Sequence, residues 1–237
     1  MRTSGRVVAA LLSGLCLVGT AACTGDATPR PTQQAELTPA QRLAAARSGL
    51  DAATSVHVTL TSSGVPDDAS GLLAGEGWGA HPPAFKGSFK IAVAGVPADA
   101  EVTSVDGEVW ARLPFVPGIH RIDPADYGLP DPGLLLSPDR GLTTLVTATG
   151  APVLGAQTRR GAEVLMTITG DLPGTAVFDL LRTGDRSAAY RATYLLTEAN
   201  QLRQVSIEGP FFEDGTPSTY SLVLDRYGEP VTITRPT

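Results

Sequence analysis

The chain has 237 residues, a formal net charge of −6 at pH 7 and 42% hydrophobic residues. An acidic balance without a basic run argues against a nucleic-acid-binding protein. Only two cysteines are present, which excludes a disulfide-rich scaffold, so the core must come from apolar packing in a chain long enough to build one.

The amino-terminal segment has the layout of a bacterial lipoprotein signal. Two arginines precede twelve mostly apolar residues at 7–18, and Ala21 and Ala22 stand directly before Cys23. We predict a signal peptide over residues 1–22 and acylation of Cys23, which then becomes the first residue. Twelve residues are too few to span a bilayer core of about 30 Å. An ordinary secretory signal is the alternative, and Thr20, where lipoprotein signals usually carry leucine, favours it.

The residues after Cys23 predict a flexible tether. The segment 24–37 contains two prolines and two adjacent glutamines, and it has little apolar surface to bury. We therefore expect three regions: the signal at 1–22, the lipidated cysteine and tether at 23–37, and a single domain at 38–237.

The first half of this domain predicts one helix followed by a meander of strands. Thr38 is a plausible N-cap with Pro39 at the first helical position, and helical spacing continues to about Ala53. Apolar residues then alternate with polar ones, and Asp106-Gly107 is a tight-turn signal between two such runs. The predicted strands lie around residues 56–60, 72–78, 89–93, 99–105 and 108–113, with an interruption at 95–97.

The second half predicts an irregular insertion and then more strands. Prolines break the pattern between residues 114 and 152, where only short helices at 123–127 and from 137 onward are expected. Alternation returns afterwards, with a helix at 175–182 and strands at 163–169, 190–197, 201–208, 218–225 and 231–234. The predicted fold class is α+β, with a large curved antiparallel sheet of about nine to eleven strands and helices on one face.

Catalytic and metal-binding motifs are missing from the sequence. The three histidines do not have metal-ligand spacing, and no nucleophile elbow or phosphate-binding loop is present. Carboxylates at Asp123, Asp126, Asp131 and Asp139 read as turn and cap residues. We therefore expect no enzyme, no cofactor and no metal, with a hydrolase acting near His57 or His120 as an alternative.

Several stretches resemble one known family. They are FKGSFKI (85–91), VDGEVWARL (105–113), IDPADYG (122–128), DPGLL (131–135), SPDRGL (137–142) and DRYGEPV (225–231). In this order and spacing they are similar to the LppX/LprAFG family of actinobacterial lipoproteins, and most to its LprG branch. The resemblance covers nearly the whole chain after residue 23.

The resemblance implies a LolA/LolB-like half-barrel whose helices cover the concave face and enclose a hydrophobic cavity for acyl chains. It also implies a carrier of triacylated glycolipids or other acyl lipids on the outer face of the cytoplasmic membrane, working with a major-facilitator-type exporter. The alternative is an RseB-like lipoprotein sensor or assembly factor that binds a protein partner.

Strand parity and the helical pattern then give the residues expected around the cavity. Periodicity alone does not separate a cavity wall from a closed core, because both need one apolar face. Phe89 is bulkier than the small aliphatic residue expected at its position. The predicted cavity residues are Phe89, Ile91, Val93, Val102, Val109, Ala111, Leu113, Leu134, Leu135, Leu142, Leu145 and Val146.

Overall fold

The structure is a computed structural model that describes residues 36–237, except Ala94, Phe115, Glu213 and Asp214. The predicted signal peptide, Cys23 and nearly all of the predicted tether lie outside the described residues. From Leu37 to Thr237 the chain forms one compact unit.

The first helix, α1 (Pro39–Asp51), begins where the sequence predicts it. The Gln41 backbone N–H donates to Thr38 Oγ1 at 3.2 Å, and the Thr38 backbone N–H donates to Gln41 Oε1 at 2.9 Å. This reciprocal capping box satisfies two amides that the first helical turn would leave unpaired. The helix buries Leu43, Ala46 and Leu50 in the core.

Eleven strands in the described part of the chain form one antiparallel sheet, which confirms the predicted fold class. Their bounds are β1 Ser55–Ser63, β2 Gly71–Ala80, β3 Ala84–Val93, β4 Val96–Val105, β5 Glu108–Arg112, β6 His120–Ile122, β7 Gly150–Arg160, β8 Glu163–Pro173, β9 Ala189–Leu196, β10 Leu202–Gly209 and β11 Ser218–Asp225. The other elements are two 3₁₀ turns, Pro124–Tyr127 and Pro132–Leu134, and two further helices, α2 (Thr143–Ala148) and α3 (Gly174–Leu181).

The sheet consists of two meanders that meet in its middle. Its strand order is β6-β5-β4-β3-β2-β1-β11-β10-β9-β8-β7. Strands β1 and β11 join the two meanders, with Val58 opposite Leu224 in the register. The edges of the sheet are therefore the short strand β6 and the long strand β7.

The two faces of the sheet differ because side chains alternate along each strand. On the inner face, which the helices cover, residues such as Val56, Ile168 and Tyr194 are fully buried in one hydrophobic core. On the outer face His57 Nδ1 lies 2.8 Å from Asp225 Oδ1, and the imidazole meets the edge of Trp78 at 5.2 Å.

Several predicted boundaries are wrong. Strand β4 begins at Val96, so Val96 and Pro97 belong to it rather than to an interruption. Helix α2 begins at Thr143, later than the predicted position 137. The short strand β6 lies inside the proline-rich insertion, where the sequence predicts none.

Two larger differences concern the edge and the end of the sheet. Strand β7 is not predicted, because nearly all its side chains are exposed on both faces and show no alternation. The predicted strand at 231–234 is wrong. That segment belongs to no strand of the described sheet, and Arg235 beyond it contacts the side chains of Glu108 and Trp110.

Candidate functional site: an apolar cavity under the helices

A cavity of about 650 Å³ lies between the inner face of the sheet and the helical segments. Its sheet wall is formed by both meanders, from β5 across the middle of the sheet to β10. The apolar residues of this wall include Val58, Leu60, Leu72, Phe85, Phe89, Ile91, Ala100, Val102, Val109, Ala111, Leu113, Val205, Ile207 and Leu222.

The opposite wall comes from the insertion between β5 and β7 and from α3. It is aliphatic, with leucines from the second 3₁₀ turn, from α2 and from α3. The residues are Ile122, Leu129, Leu134, Leu135, Leu142, Leu145, Ala148, Ala176, Leu180 and Leu181. Both walls therefore suit a flexible hydrocarbon chain.

Small side chains on the sheet make room for this cavity. The inner-face positions of β2 are Gly75, Gly77 and Gly79, which alternate with the outward residues Glu76 and Trp78. Glycine weakens a strand interior, so three alternating glycines point to a local need for space. At these three positions β2 contributes only backbone to the wall, so the wall has less depth where β2 pairs with β3.

A polar contact fastens the insertion to the sheet beside the cavity. Buried Ser104 on β4 donates its hydroxyl to Asp131 Oδ1 at 2.7 Å, and the Gly133 backbone N–H donates to the same oxygen at 2.8 Å. A Cβ on Gly133 would lie 2.4 Å from Ser104 Oγ, so only glycine fits. Asp131 Oδ1 therefore holds the insertion against β4.

The residues of the cavity wall differ in exposure. Along β3, Phe85 is 1% exposed, whereas Phe89 and Ile91 are half-buried. Ala111 and Leu145 are fully buried. The apolar wall therefore includes both fully buried and solvent-accessible positions.

Six charged residues line the cavity, and all of them except half-buried Asp131 are exposed. Asp139, Arg140 and Arg182 are exposed, and the carboxylate of Asp179 is paired with Arg186 at 2.9 Å. Burial raises the pKa of Tyr220, on the wall, to about 12, so its hydroxyl stays neutral at physiological pH. Within the described residues, no three potential ligands are grouped to hold a metal ion.

The model of the LppX_LprAFG lipoprotein family matches residues 38–233 of this sequence. The chain belongs to the LppX_LprAFG lipoprotein family. Membership confirms the resemblance found in the sequence, and it also confirms the prediction that the protein is not an enzyme. A lipoprotein family implies an exported, envelope-associated protein. No helix in the described residues is both long and apolar enough to cross a bilayer.

Solved structures show the same fold. LprF from Mycobacterium bovis aligns with a TM-score of 0.67 at 17% identity, covering 84% of this chain and 96% of that one. LppX from Mycobacterium tuberculosis aligns with a TM-score of 0.60 at 16% identity, covering 83% and 98%. The sequence has no significant match among curated proteins.

The structure places most of the predicted cavity residues in the wall. Those that line the cavity are Phe89, Ile91, Val102, Val109, Ala111, Leu113, Leu134, Leu135, Leu142 and Leu145. Val146 is buried in the core and does not reach the cavity. The side chain of Val93 and all of Cys23 lie outside the described residues.

Other wall residues are missing from the sequence-based set. Leu60 on β1, Val205 and Ile207 on β10, and Leu222 on β11 all face the cavity. The alternation used for β3 is present in these strands too, but strand order is needed to know that β1, β11 and β10 continue the cavity wall beyond β2. The alternating glycines of β2 are a signal that was available in the sequence.

The histidines proposed for a hydrolase are not in the cavity. His57 lies on the outer face with Asp225, and His120 Nε2 is 2.7 Å from the Pro117 carbonyl oxygen on the exposed strand β6. Neither residue belongs to the cavity wall. Within the described residues, the cavity therefore offers no histidine to the hydrolase alternative.

Proposed function

We propose that this protein is a membrane-anchored lipoprotein that binds acyl chains in its cavity and carries lipids or glycolipids toward the cell envelope. The observation that carries the proposal is the apolar cavity between the sheet and the insertion, in a chain that belongs to a lipoprotein family. Charged groups exposed to solvent leave room for a polar headgroup outside the cavity.

Physical chemistry gives such a cavity a transport role. Moving a methylene group from a bilayer into an apolar protein interior changes its free energy little, whereas exposing it to water costs about 0.8 kcal/mol. A chain that passes directly from membrane to cavity avoids that exposure. The carrier lowers the barrier to transfer because it shields the tail while the headgroup stays hydrated.

The size of the cavity also favours an occupant. Its apolar wall is exposed to water when no ligand is bound, and apolar surface left in water costs about 25 cal/mol per Å². Water is poorly held by aliphatic walls, so a lipid tail is the better filling.

The finer parts of the proposal rest on the family resemblance. Its implied ligand is a triacylated glycolipid or another acyl lipid, and its implied partner is a major-facilitator-type exporter. Acylated Cys23 would hold the domain at the outer face of the cytoplasmic membrane.

A cavity-filling variant tests lipid binding. Ile91→Trp puts an indole into the cavity, whereas Lys90→Trp adds the same group to the exposed face one residue earlier. Native mass spectrometry of protein gently purified from an actinobacterial host should show bound acyl lipid in wild type and Lys90→Trp, and little in Ile91→Trp. The proposal fails if wild-type protein never carries a lipid.

A further inference from the structure

The glycines of β2 form a recess that two phenyl rings occupy. In the register Gly75 lies opposite Phe89, Gly77 opposite Gly87, and Gly79 opposite Phe85. A Cβ on Gly75 would lie 2.4 Å from Phe89 Cδ1, and a Cβ on Gly77 would lie 2.6 Å from Phe85 Cζ. The rings therefore lie against the bare backbone instead of standing upright in the cavity.

The two rings are packed together but differ in their surroundings. Their centroids are 5.4 Å apart and their planes differ by 17°, an offset-stacked pair. Phe85 is 1% exposed and covers Gly77 and Gly87. Phe89 is half-buried. Both rings line the cavity, and Phe89 is the more exposed of the two.

The atoms that a Cβ would meet show at which glycine a substitution would change the shape of the cavity. A Cβ on Gly77 would also approach the Lys86 carbonyl oxygen to 2.6 Å, and one on Gly87 would approach the Glu76 carbonyl oxygen to 2.2 Å. Substitution at either position must move the backbone. At Gly75 the two nearest atoms are both ring carbons of Phe89, and the nearest backbone atom is 3.2 Å away. A methyl group there would displace mainly the ring.

We propose that Gly75 and Phe89 set the depth of the cavity and thereby the length of acyl chain that the protein accepts. This inference rests on the proposed lipid-binding function. With glycine at position 75 the ring is recessed and the space above it is free for a chain. With a side chain there, the stacked Phe85 blocks movement along the sheet, so the ring swings into the cavity.

The expected loss of binding affinity scales with the number of methylene groups that no longer fit in the cavity. Each methylene left in water weakens binding about fourfold. Displacement of the ring by a methyl group removes room for about two methylenes, so a chain that fills the cavity should bind about fifteenfold more weakly. A shorter chain, which does not reach the ring, should be little affected.

The test uses delipidated full-length protein titrated with lauric, palmitic and arachidic acids, with binding followed by native mass spectrometry. Gly75→Ala should bind palmitic acid about fifteenfold more weakly than wild type while lauric acid changes little. Phe89→Ala should shift the preference toward arachidic acid. The double variant Gly75→Ala/Phe89→Ala should regain palmitic acid binding, because no ring remains to be displaced.

Gly155→Ala is the matched control, because Gly155 also lies in a strand but its Cβ would meet only ordinary contacts of 3.5 Å with Thr167, away from the cavity. If Gly75→Ala does not fold by circular dichroism, the chain-length preference of Phe89→Ala decides instead. If wild type binds fatty acids and Phe89→Ala shows the same chain-length preference, the proposed role of Gly75 and Phe89 is wrong, whereas the proposed lipid-binding function stands. Wild-type protein that binds none of the acids overturns the proposed function together with this inference.

Discussion

Tyr194 shows how one buried hydroxyl ties the helical layer to the sheet. The side chain lies on β9 and is fully buried, and its hydroxyl is 2.7 Å from Thr149 Oγ1, just after α2. Burial raises the pKa of Tyr194 to about 12, because the phenolate would have no water around it. The native state thus keeps a proton that an unfolded chain would release at lower pH.

Stability should fall in strongly alkaline solution. An unfolded tyrosine has a pKa of about 10, so the contribution of Tyr194 is complete below that pH and is lost as pH rises toward about 12. The loss amounts to about 3 kcal/mol for a group with this shift. Tyr194→Phe should cost about 1 kcal/mol at neutral pH through the lost hydrogen bond.

Urea unfolding across the alkaline range checks this expectation. The curve of unfolding free energy against pH should be flatter above about pH 10 in Tyr194→Phe than in wild type. Tyr220, whose pKa burial also raises to about 12, should contribute in the same direction. An unchanged alkaline slope in the Tyr194→Phe variant would contradict the role of its buried hydroxyl.

At the scale of elements, the segment after β11 acts as a strap across the outer face. The Arg226 guanidinium lies 4.9 Å from the centre of the Trp78 ring, and the Arg235 guanidinium lies 4.9 Å from that of Trp110. Arg235 also pairs with Glu108 at 2.6 Å. Residues 226–237 therefore connect β11 with β2 and β5, bridging strands that are not neighbours.

Removal of the far contact of this strap should weaken the fold modestly. An exposed cation–π contact and an exposed ion pair each contribute up to about 1 kcal/mol, so Arg235→Ala should lower the free energy of unfolding by about 1 kcal/mol. Thermal unfolding measures the change. Arg159→Ala, at an exposed site without a side-chain partner in the described residues, is the control. Equal stability of the two variants would show that the strap contributes nothing.

The strap also shows why residue patterns predict most helices and strands of this protein but not all of them. Val231 and Ile233 are half-buried while Thr232 and Thr234 are exposed. Any extended segment lying on a surface shows this alternation, and only backbone pairing makes it a strand. Strand β7 is missed for the opposite reason. It pairs with β8, but almost none of its side chains are buried, so its sequence shows no alternation.

The cavity wall is also predictable only in part, because alternation shows which side chains point inward but not what they face. Ile91 in the cavity wall and Val56 in the closed core both occupy inner-face positions of alternating strands. What separates them is the element that faces each one across the interior, which depends on the path of the insertion. Val146 illustrates the limit, since it shares a helix with Leu145 yet points into the core.

For the whole molecule, the proposed transport role requires the domain to stay close to a membrane. Two acyl chains anchor a protein stably, whereas one gives only marginal binding. Cys23→Ser in the full-length chain should therefore move the protein from the membrane fraction to the soluble fraction of an actinobacterial host. Detergent phase partitioning and the intact mass of the protein measure this shift. Cys16→Ser, within the predicted signal peptide, should leave anchoring unchanged. Membrane retention of the Cys23→Ser variant would contradict acylation at this cysteine.

The pairing of β1 with β11 has a consequence for the order of folding. Its register joins residues 57–63 to residues 219–225, whereas nearly all other strand pairs join neighbours in sequence. Contacts between distant segments form slowly because the intervening chain must first be ordered. We expect the β1–β6 meander to form early, with β1 as an open edge until β11 is released from the export machinery. An unpaired edge strand can pair with another chain, so a chain stalled before β11 would be prone to aggregate through β1.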